Sequence, residues 1–234
     1  MNRNESPTTD VPMLQLARAG FAVLPGVIDY TRCDLLASHV ESRAAGGAGS
    51  RQLLEQSWCR RLADELRCRP ELREVLPVDS VAVQCTFFDK SPGKNWLVSL
   101  HQDLSIPVRA RVAAAECSGW SEKEGVTFVQ PPVEVLEQLL AVRVHIDNCP
   151  EESGPLRVVP GSHGFGRLDS VETERLRNER GELIVPVGLG DALVMRPLIL
   201  HASSKASAPK PRRVLHFVFG PPRLPFGLEW RWAV

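Results

Sequence analysis

Apolar and polar positions divide the chain into a helical first third and a β-rich remainder. Residues 13–19 carry apolar side chains at helical spacing, and Gly20 follows as a residue suited to a left-handed cap. Residues 21–24 read as a strand closed by Pro25-Gly26. A second helix is predicted from a cap at Asp29 or Thr31 to about Ser42, with Leu35, Leu36 and Val40 on its apolar side. Residues 44–50 form a small-residue loop. Residues 51–76 predict helix in two pieces broken at Pro70, with Leu53, Leu54, Trp58, Leu62 and Leu66 as a core stripe. Arg60, Arg61, Arg67 and Arg69 make its solvated face.

From residue 80 the period becomes two. Residues 81–88 are β-branched and aromatic and predict a strand. Ser91-Pro92-Gly93 marks a turn, residues 96–104 a further strand, and Pro107 its end. Residues 109–132 show no clear period and contain Gly119, Gly125 and Pro131-Pro132, which predicts a lid or binding loop. A helical turn at 133–138 precedes a strong strand at 139–147. A turn at 151–154, a strand at 155–159, a tight loop at 160–164 and a charged helix at 170–180 come next. Short strands at 183–187, 192–196, 199–202 and 213–219 complete the pattern. Helices followed by many short strands predict an α+β protein with a jelly-roll or barrel core. Helical support would occupy about 11–78 and the core about 79–220, in one domain over 11–234 behind a disordered tail at 1–10.

Composition narrows the partners. Lys+Arg and Asp+Glu balance at 28 each, so nothing points to nucleic acid or an anionic membrane. No apolar run approaches the roughly 20 residues of a membrane span, and the N-terminus lacks the apolar core of a signal peptide. The six cysteines, Cys33, Cys59, Cys68, Cys85, Cys117 and Cys149, form no C-x-x-C pair. They read as reduced thiols of a cytoplasmic protein rather than a zinc site or a disulfide framework. The expected partner is a small molecule, and the expected state is a monomer or homodimer.

The chemistry centres on histidines next to carboxylates. In His101-Gln102-Asp103 an imidazole and a carboxylate two apart on a strand leave the same face. They make two thirds of the 2-His-1-carboxylate set that holds non-haem Fe(II). His145-Ile146-Asp147 is a second copy, on a strand whose alternation puts Arg143, His145 and Asp147 on one face. Spacing alone leaves the two motifs competing. His201 lies where an apolar run opens into Ala202-Ser203-Ser204-Lys205 and is well placed to face a cavity. Eleven residues later comes Arg212, beside Arg213, heading a buried strand, and a guanidinium there suits a carboxylate ligand. Neighbours on a strand face opposite ways, so one of the pair enters the barrel. His39 and His163 read as structural, and His216, in phase with Arg212, as a packing residue.

Several segments in order resemble the phytanoyl-CoA dioxygenase family. They are Gly20-Phe21-Ala22-Val23-Leu24-Pro25-Gly26, Phe88-Asp89-Lys90-Ser91-Pro92-Gly93, Leu100-His101-Gln102-Asp103, the run from Gly154-Pro155-Leu156 to Pro160-Gly161-Ser162-His163, and Gly190-Asp191…His201-Ala202-Ser203…Arg212. The likeness covers about residues 12–220. It implies a double-stranded β-helix (jelly-roll, cupin-like) core with flanking N-terminal helices, and an Fe(II)- and 2-oxoglutarate-dependent oxygenase that consumes dioxygen. It implies that His101, Asp103 and His201 ligate iron, and that Arg212 grips the far carboxylate of 2-oxoglutarate with Ser203 beside it. Lys90 falls where the family often places a lysine near that cosubstrate, and Gln84 would face cosubstrate or substrate. The resemblance assigns no metal ligand to the strand of His145, although Arg143 or His145 could touch substrate, as could Trp120, Phe128 and Gln130 from the expected lid.

Halogenating relatives carry a small residue in place of the carboxylate. Asp103 therefore points to hydroxylation or desaturation. Two other readings stand beside this one: a different metal enzyme on the same fold, such as an isomerase or hydrolase, and a non-catalytic protein that binds 2-oxoglutarate or another metabolite. Neither the substrate nor a CoA site is legible.

Overall fold

The computed structural model describes residues 12–41, 49–90, 94–207 and 210–234. The expected tail, most of the loop at 44–50 and the Ser91-Pro92-Gly93 turn lie outside the described residues. The early elements are α1 (Pro12–Ala19), β1 (Phe21–Leu24), α2 (Tyr30–Glu41), β2 (Gly49–Ser50), α3 (Ser57–Cys68) and α4 (Pro70–Arg73). The next group is β3 (Val81–Asp89), β4 (Val98–His101), β5 (Ile106–Val108), β6 (Ser118–Lys123), β7 (Val126–Gln130), α5 (Val133–Leu136), β8 (Leu140–His145) and β9 (Leu156–Val158). The last is α6 (Ser170–Arg180), β10 (Leu183–Val185), β11 (Ala192–Met195), β12 (His201–Ser203) and β13 (Arg213–Gly220). No helix among the described residues is long and apolar enough to cross a membrane.

Local chemistry explains the helix ends. Gly20 takes φ +85° and donates its N–H to Leu16 O at 3.0 Å, closing α1. Asp29, not Thr31, caps α2, accepting from Arg32 N at 2.8 Å. Asp169 and Glu172 form a capping box on α6.

The strands form three antiparallel sheets. The largest runs β1-β11-β8-β13-β3-β2, the second β10-β9-β12-β4, and a small third sheet β5-β7-β6. The two larger sheets are the walls of a jelly roll. Their facing sides meet through Phe21, Ala141, Leu193 and Met195 of one and Leu156, Val158 and Val185 of the other. The outer side of the six-stranded sheet is apolar as well: Val142, Val144, Leu215 and Phe217 pack on Leu36, Val40, Leu62 and Leu66 of α2 and α3. Burial on both sides fixes the register of β8 and β13, because a one-residue slip would turn every side chain over.

Several expectations need correction. The helix expected from Arg51 begins at Ser57, after a single 3₁₀ turn at Leu53–Glu55 that still buries Leu53 and Leu54. Leu35 is exposed, one position off the buried row Cys33, Leu36, Ala37 and Val40. Pro107 does not end a strand. It lies inside β5, an edge strand, where a missing N–H costs no ladder bond. Residues 109–132 hold the β6–β7 hairpin rather than an irregular lid. Its two-residue turn, Glu124-Gly125, has both φ values positive, +53° and +74°. Beyond residue 220 the chain continues along the core: Ala82 and Val234 exchange both backbone hydrogen bonds, and Trp230 packs beside Val83 and Leu139.

Candidate functional site

His101 ends β4 and His201 opens β12, and the two residues stand opposite each other in the ladder. The strand at Ile199 begins two residues later than expected, so His201 is its first member. β4 stops at His101, short of the expected Leu104. Asp103 reaches the same face through the bend after the strand, where its N–H donates to Pro197 O at 2.9 Å. Its carboxylate lies 3.7 Å from Nε2 of His101 and 3.7 Å from Nε2 of His201. Donor atoms of the three residues lie within 4.8 Å of one another. Gln102 points the other way and braces the bend, donating to Gly166 O and Leu198 O and accepting from Leu168 N.

The ring tautomers follow from partners. His101 Nδ1 is 2.8 Å from Ser99 O, and His201 Nδ1 is 2.9 Å from Ile199 O. A carbonyl only accepts, so Nδ1 carries a proton in both rings, and in the neutral form each Nε2 turns a lone pair toward Asp103. Burial pushes His201 down to about 4, against the attraction of Asp103. Burial pushes the Asp103 carboxyl up, but His201, His216, His101 and Arg143 outweigh it and hold it below the ordinary value. In that neutral form two lone pairs and a carboxylate converge with no proton among them. That donor set fits a cation, and its N/O composition with two imidazoles fits a first-row transition metal.

The triad opens on a cavity of about 400 Å³. Gln84 lines it and donates to Thr86 Oγ1 at 3.0 Å. Phe128 and Gln130 line it from β7, whereas Trp120 does not and instead lies beneath Arg111, 5.5 Å from ring to guanidinium. Ser203 and Arg212 line the opposite side. Arg212 is 4% exposed, donates through Nη1 to Gly154 O, and leaves Nε buried with no hydrogen-bond partner among the described residues. Arg213 faces away and grips Asp147 with a fork, Nε–Oδ2 2.9 Å and Nη2–Oδ1 2.8 Å. Lys90 is fully buried behind Ser203, donating to Ser203 Oγ at 2.8 Å and to Ser204 O. Burial, then the neighbouring Arg212, lowers its pKa to about 8.

β8 shows how one strand divides its roles. Arg143 faces the cavity and pairs in register with His216 of β13, while His145 is buried outside the cavity lining. Neither ring nitrogen of His145 has a hydrogen-bond partner among the described residues, and its place outside the cavity lining removes it from the expected substrate contacts. Burial and the charges of Arg143 and Arg212 hold its pKa well below the ordinary value. His163 packs against the helix turn at Gly20, where a Cβ would meet its Nδ1 at 2.4 Å.

His216 is not the packing residue expected. It lines the cavity, with Nδ1 2.8 Å from Arg143 Nη1 and Nε2 3.9 Å from Asp103 Oδ2. A guanidinium only donates, so Nδ1 accepts and the proton of this neutral ring sits on Nε2, facing Asp103. Burial, with Arg143 next, drives its pKa down to about 3. His216 thus presents a donor to the site where His101 and His201 present lone pairs. The sequence signal was available in the alternation of β13, which puts His216 and Val218 on the inward side.

Solved structures of similar fold share this architecture. SnoN, an epimerase described in complex with Fe3+, alpha ketoglutarate and nogalamycin RO, is 16% identical, with 92% of this chain and 90% of that chain covered at a TM-score of 0.65. AviO1 from Streptomyces viridochromogenes Tue57 is 20% identical, covering 94% and 99%, at a TM-score of 0.62. EctD from S. alaskensis, with 2-oxoglutarate and 5-hydroxyectoine, is 18% identical, covering 94% and 79%, at a TM-score of 0.66. At these identities the likeness is one of fold. No curated protein sequence matches the chain. The sequence does match the family described as Phytanoyl-CoA dioxygenase (PhyH) over residues 16–214, most of its length, and the chain belongs to that family.

Proposed function

We propose that the protein is an Fe(II)- and 2-oxoglutarate-dependent oxygenase that hydroxylates a small molecule, releasing succinate and CO2. The observation that carries this reading is the tautomer pair. Carbonyls of their own strands orient His101 and His201 so that both Nε2 lone pairs meet the Asp103 carboxylate. In this reading those three residues would hold the iron. Bound there, iron would supply the redox chemistry that couples decarboxylation of 2-oxoglutarate by dioxygen to oxidation of a substrate C–H bond. Family membership, iron and alpha ketoglutarate in a structure of SnoN, and 2-oxoglutarate and iron in separate structures of EctD support the assignment.

The chain's own work is positioning and exclusion of water. Arg212 is buried at the cavity wall, and its guanidinium suits the far carboxylate of 2-oxoglutarate, with Ser203 beside it. Lys90 holds Ser203 in place and adds positive charge from behind. Gln84 offers a polar contact to cosubstrate or substrate from β3. Phe128 and Gln130 wall the cavity on the substrate side, and Arg143 with His216 forms the polar floor next to Asp103.

The balanced reaction is substrate C–H plus 2-oxoglutarate plus dioxygen giving alcohol, succinate and CO2. Purified protein with Fe(II), 2-oxoglutarate and ascorbate is expected to form succinate slowly without substrate. Asp103→Ala is expected to abolish that turnover and to retain less iron after gel filtration. An Asp103→Ala protein that turns over like the parent sinks the assignment. SnoN is an epimerase, so the product of an identified substrate is decisive for the finer claim: one added oxygen atom by mass supports hydroxylation, and an unchanged mass supports epimerisation.

A further inference from the structure

The cavity carries more positive charge than this function uses. Among the described residues that line it, Asp103 is the only carboxylate, whereas Arg51, Lys123, Arg143 and Arg212 are cationic. Arg51 is neutralised by Glu124 at 2.6 Å. Arg212 is matched by the far carboxylate of 2-oxoglutarate. Asp103 and the keto-acid end of the cosubstrate together balance a divalent iron. Lys123 and Arg143 remain.

Neither has an anionic partner among the described residues. Lys123 closes β6, is half-buried, and lies with its ammonium 4.9 Å over the Phe128 ring. Arg143 is 6% exposed and spends one N–H on His216 Nδ1, while its guanidinium rests 5.2 Å from the Phe88 ring. Its Nε is buried with no hydrogen-bond partner among the described residues. An aromatic face offsets only part of the cost of removing such a cation from water, and buried charges are ordinarily paired. Both side chains also act electrostatically on Asp103, so both lie near the metal triad. They reach the cavity from different sheets, Lys123 from the β6–β7 hairpin and Arg143 from β8, so a ligand between them is held from two sides.

We propose that the primary substrate is an organic anion whose carboxylate or phosphate group seats on Lys123 and Arg143, with the carbon to be oxidised facing the metal triad. This rests on the oxygenase reading of the cavity. A planar guanidinium and a flexible ammonium suit either anion. A neutral substrate of the same shape would leave both cations unmatched.

Calorimetry on protein loaded anaerobically with Fe(II) and 2-oxoglutarate tests this, with benzoate, phenyl phosphate and the uncharged benzamide as probes. At least one anion is expected to bind about tenfold or more tighter than benzamide, and which one does so separates carboxylate from phosphate. Lys123→Met, at a partly exposed strand position, is expected to remove about tenfold from the anion's affinity while benzamide binding stays as it was. Normal binding of 2-oxoglutarate with no preference for either anion overturns the proposal and leaves the oxygenase reading intact. A preference that survives in both Lys123→Met and Arg143→Gln overturns the residues assigned. Failure of wild-type protein to bind 2-oxoglutarate at all overturns the oxygenase reading and this inference with it.

Discussion

Arg212 and Arg213 are adjacent, equally charged and chemically identical, yet the fold gives them opposite work. Replacing each with glutamine should separate binding from stability. Arg212 is buried at the cavity wall with an unused Nε–H. If it forks a carboxylate of 2-oxoglutarate, Arg212→Gln removes two charge-assisted hydrogen bonds, each contributing about 1.5–3 kcal/mol. The loss is at least about 3 kcal/mol, or roughly two orders of magnitude in Kd. Arg213 makes its fork with Asp147 instead, and a second ion pair with Glu41 at 2.8 Å. Side chains of Arg213 and Asp147 are 18% and 17% exposed, so the pair is partly screened. Arg213→Gln should cost about 1–3 kcal/mol of stability, less than a fully buried pair. It should leave 2-oxoglutarate affinity near wild type. The assays are calorimetric titration of 2-oxoglutarate into metal-loaded protein, and urea unfolding of each variant. Weakened 2-oxoglutarate binding in Arg213→Gln, with normal binding in Arg212→Gln, would refute the assignment.

Three further outcomes are expected. His145 is buried beside two arginines and its folded-state pKa lies well below 6.5, so the unfolded chain takes up its proton first. Stability should therefore fall as pH drops below about 6.5, and His145→Leu should flatten that slope by up to about 1.4 kcal/mol per pH unit in urea titrations across the window; equal slopes refute it. Gly190→Ala should destabilise by about 1–3 kcal/mol or more, because φ is +82° and the new Cβ would lie 2.3 Å from Ile28 O; an unchanged melting temperature contradicts that geometry. Leu62→Ala, fully buried between α3 and the outer side of the large sheet, should cost about 2–5 kcal/mol in urea unfolding without changing the affinity for 2-oxoglutarate.

Much of this fold was legible because strong periodicity and turn chemistry agree. The strand at residues 139–147 appears as β8 with its ends trimmed, and its inward polar and outward apolar sides are those the alternation gives. The helix at 170–180 reproduces as α6, since Asp169 and Glu172 stand three apart at its start. The β6–β7 hairpin was illegible for the opposite reason. β6 is largely exposed and reads Ser-Gly-Trp-Ser-Glu-Lys, so no buried face imposes a period of two on it. Its turn is Glu124-Gly125, where the more usual signal places Asn or Asp before the glycine.

The site divides along the same line. His101, Asp103 and His201 converge as expected, but Asp103 does so from a bend, so strand alternation was the wrong physical reason for the right neighbours. Roles set by partners across the sheet were harder to see. His216 lies 73 residues from Arg143, and only the antiparallel register of β8 and β13 makes them neighbours. That register follows from the apolar outer sides of both strands, where Val142, Val144, Leu215 and Phe217 must meet the helices. Once those positions are fixed, Arg143 and His216 have no freedom to face elsewhere. Arg143 then determines which nitrogen of His216 carries its proton, and so determines that the third imidazole near Asp103 donates rather than ligates. The polar chemistry of the cavity is in this sense a consequence of packing on the far side of the same two strands.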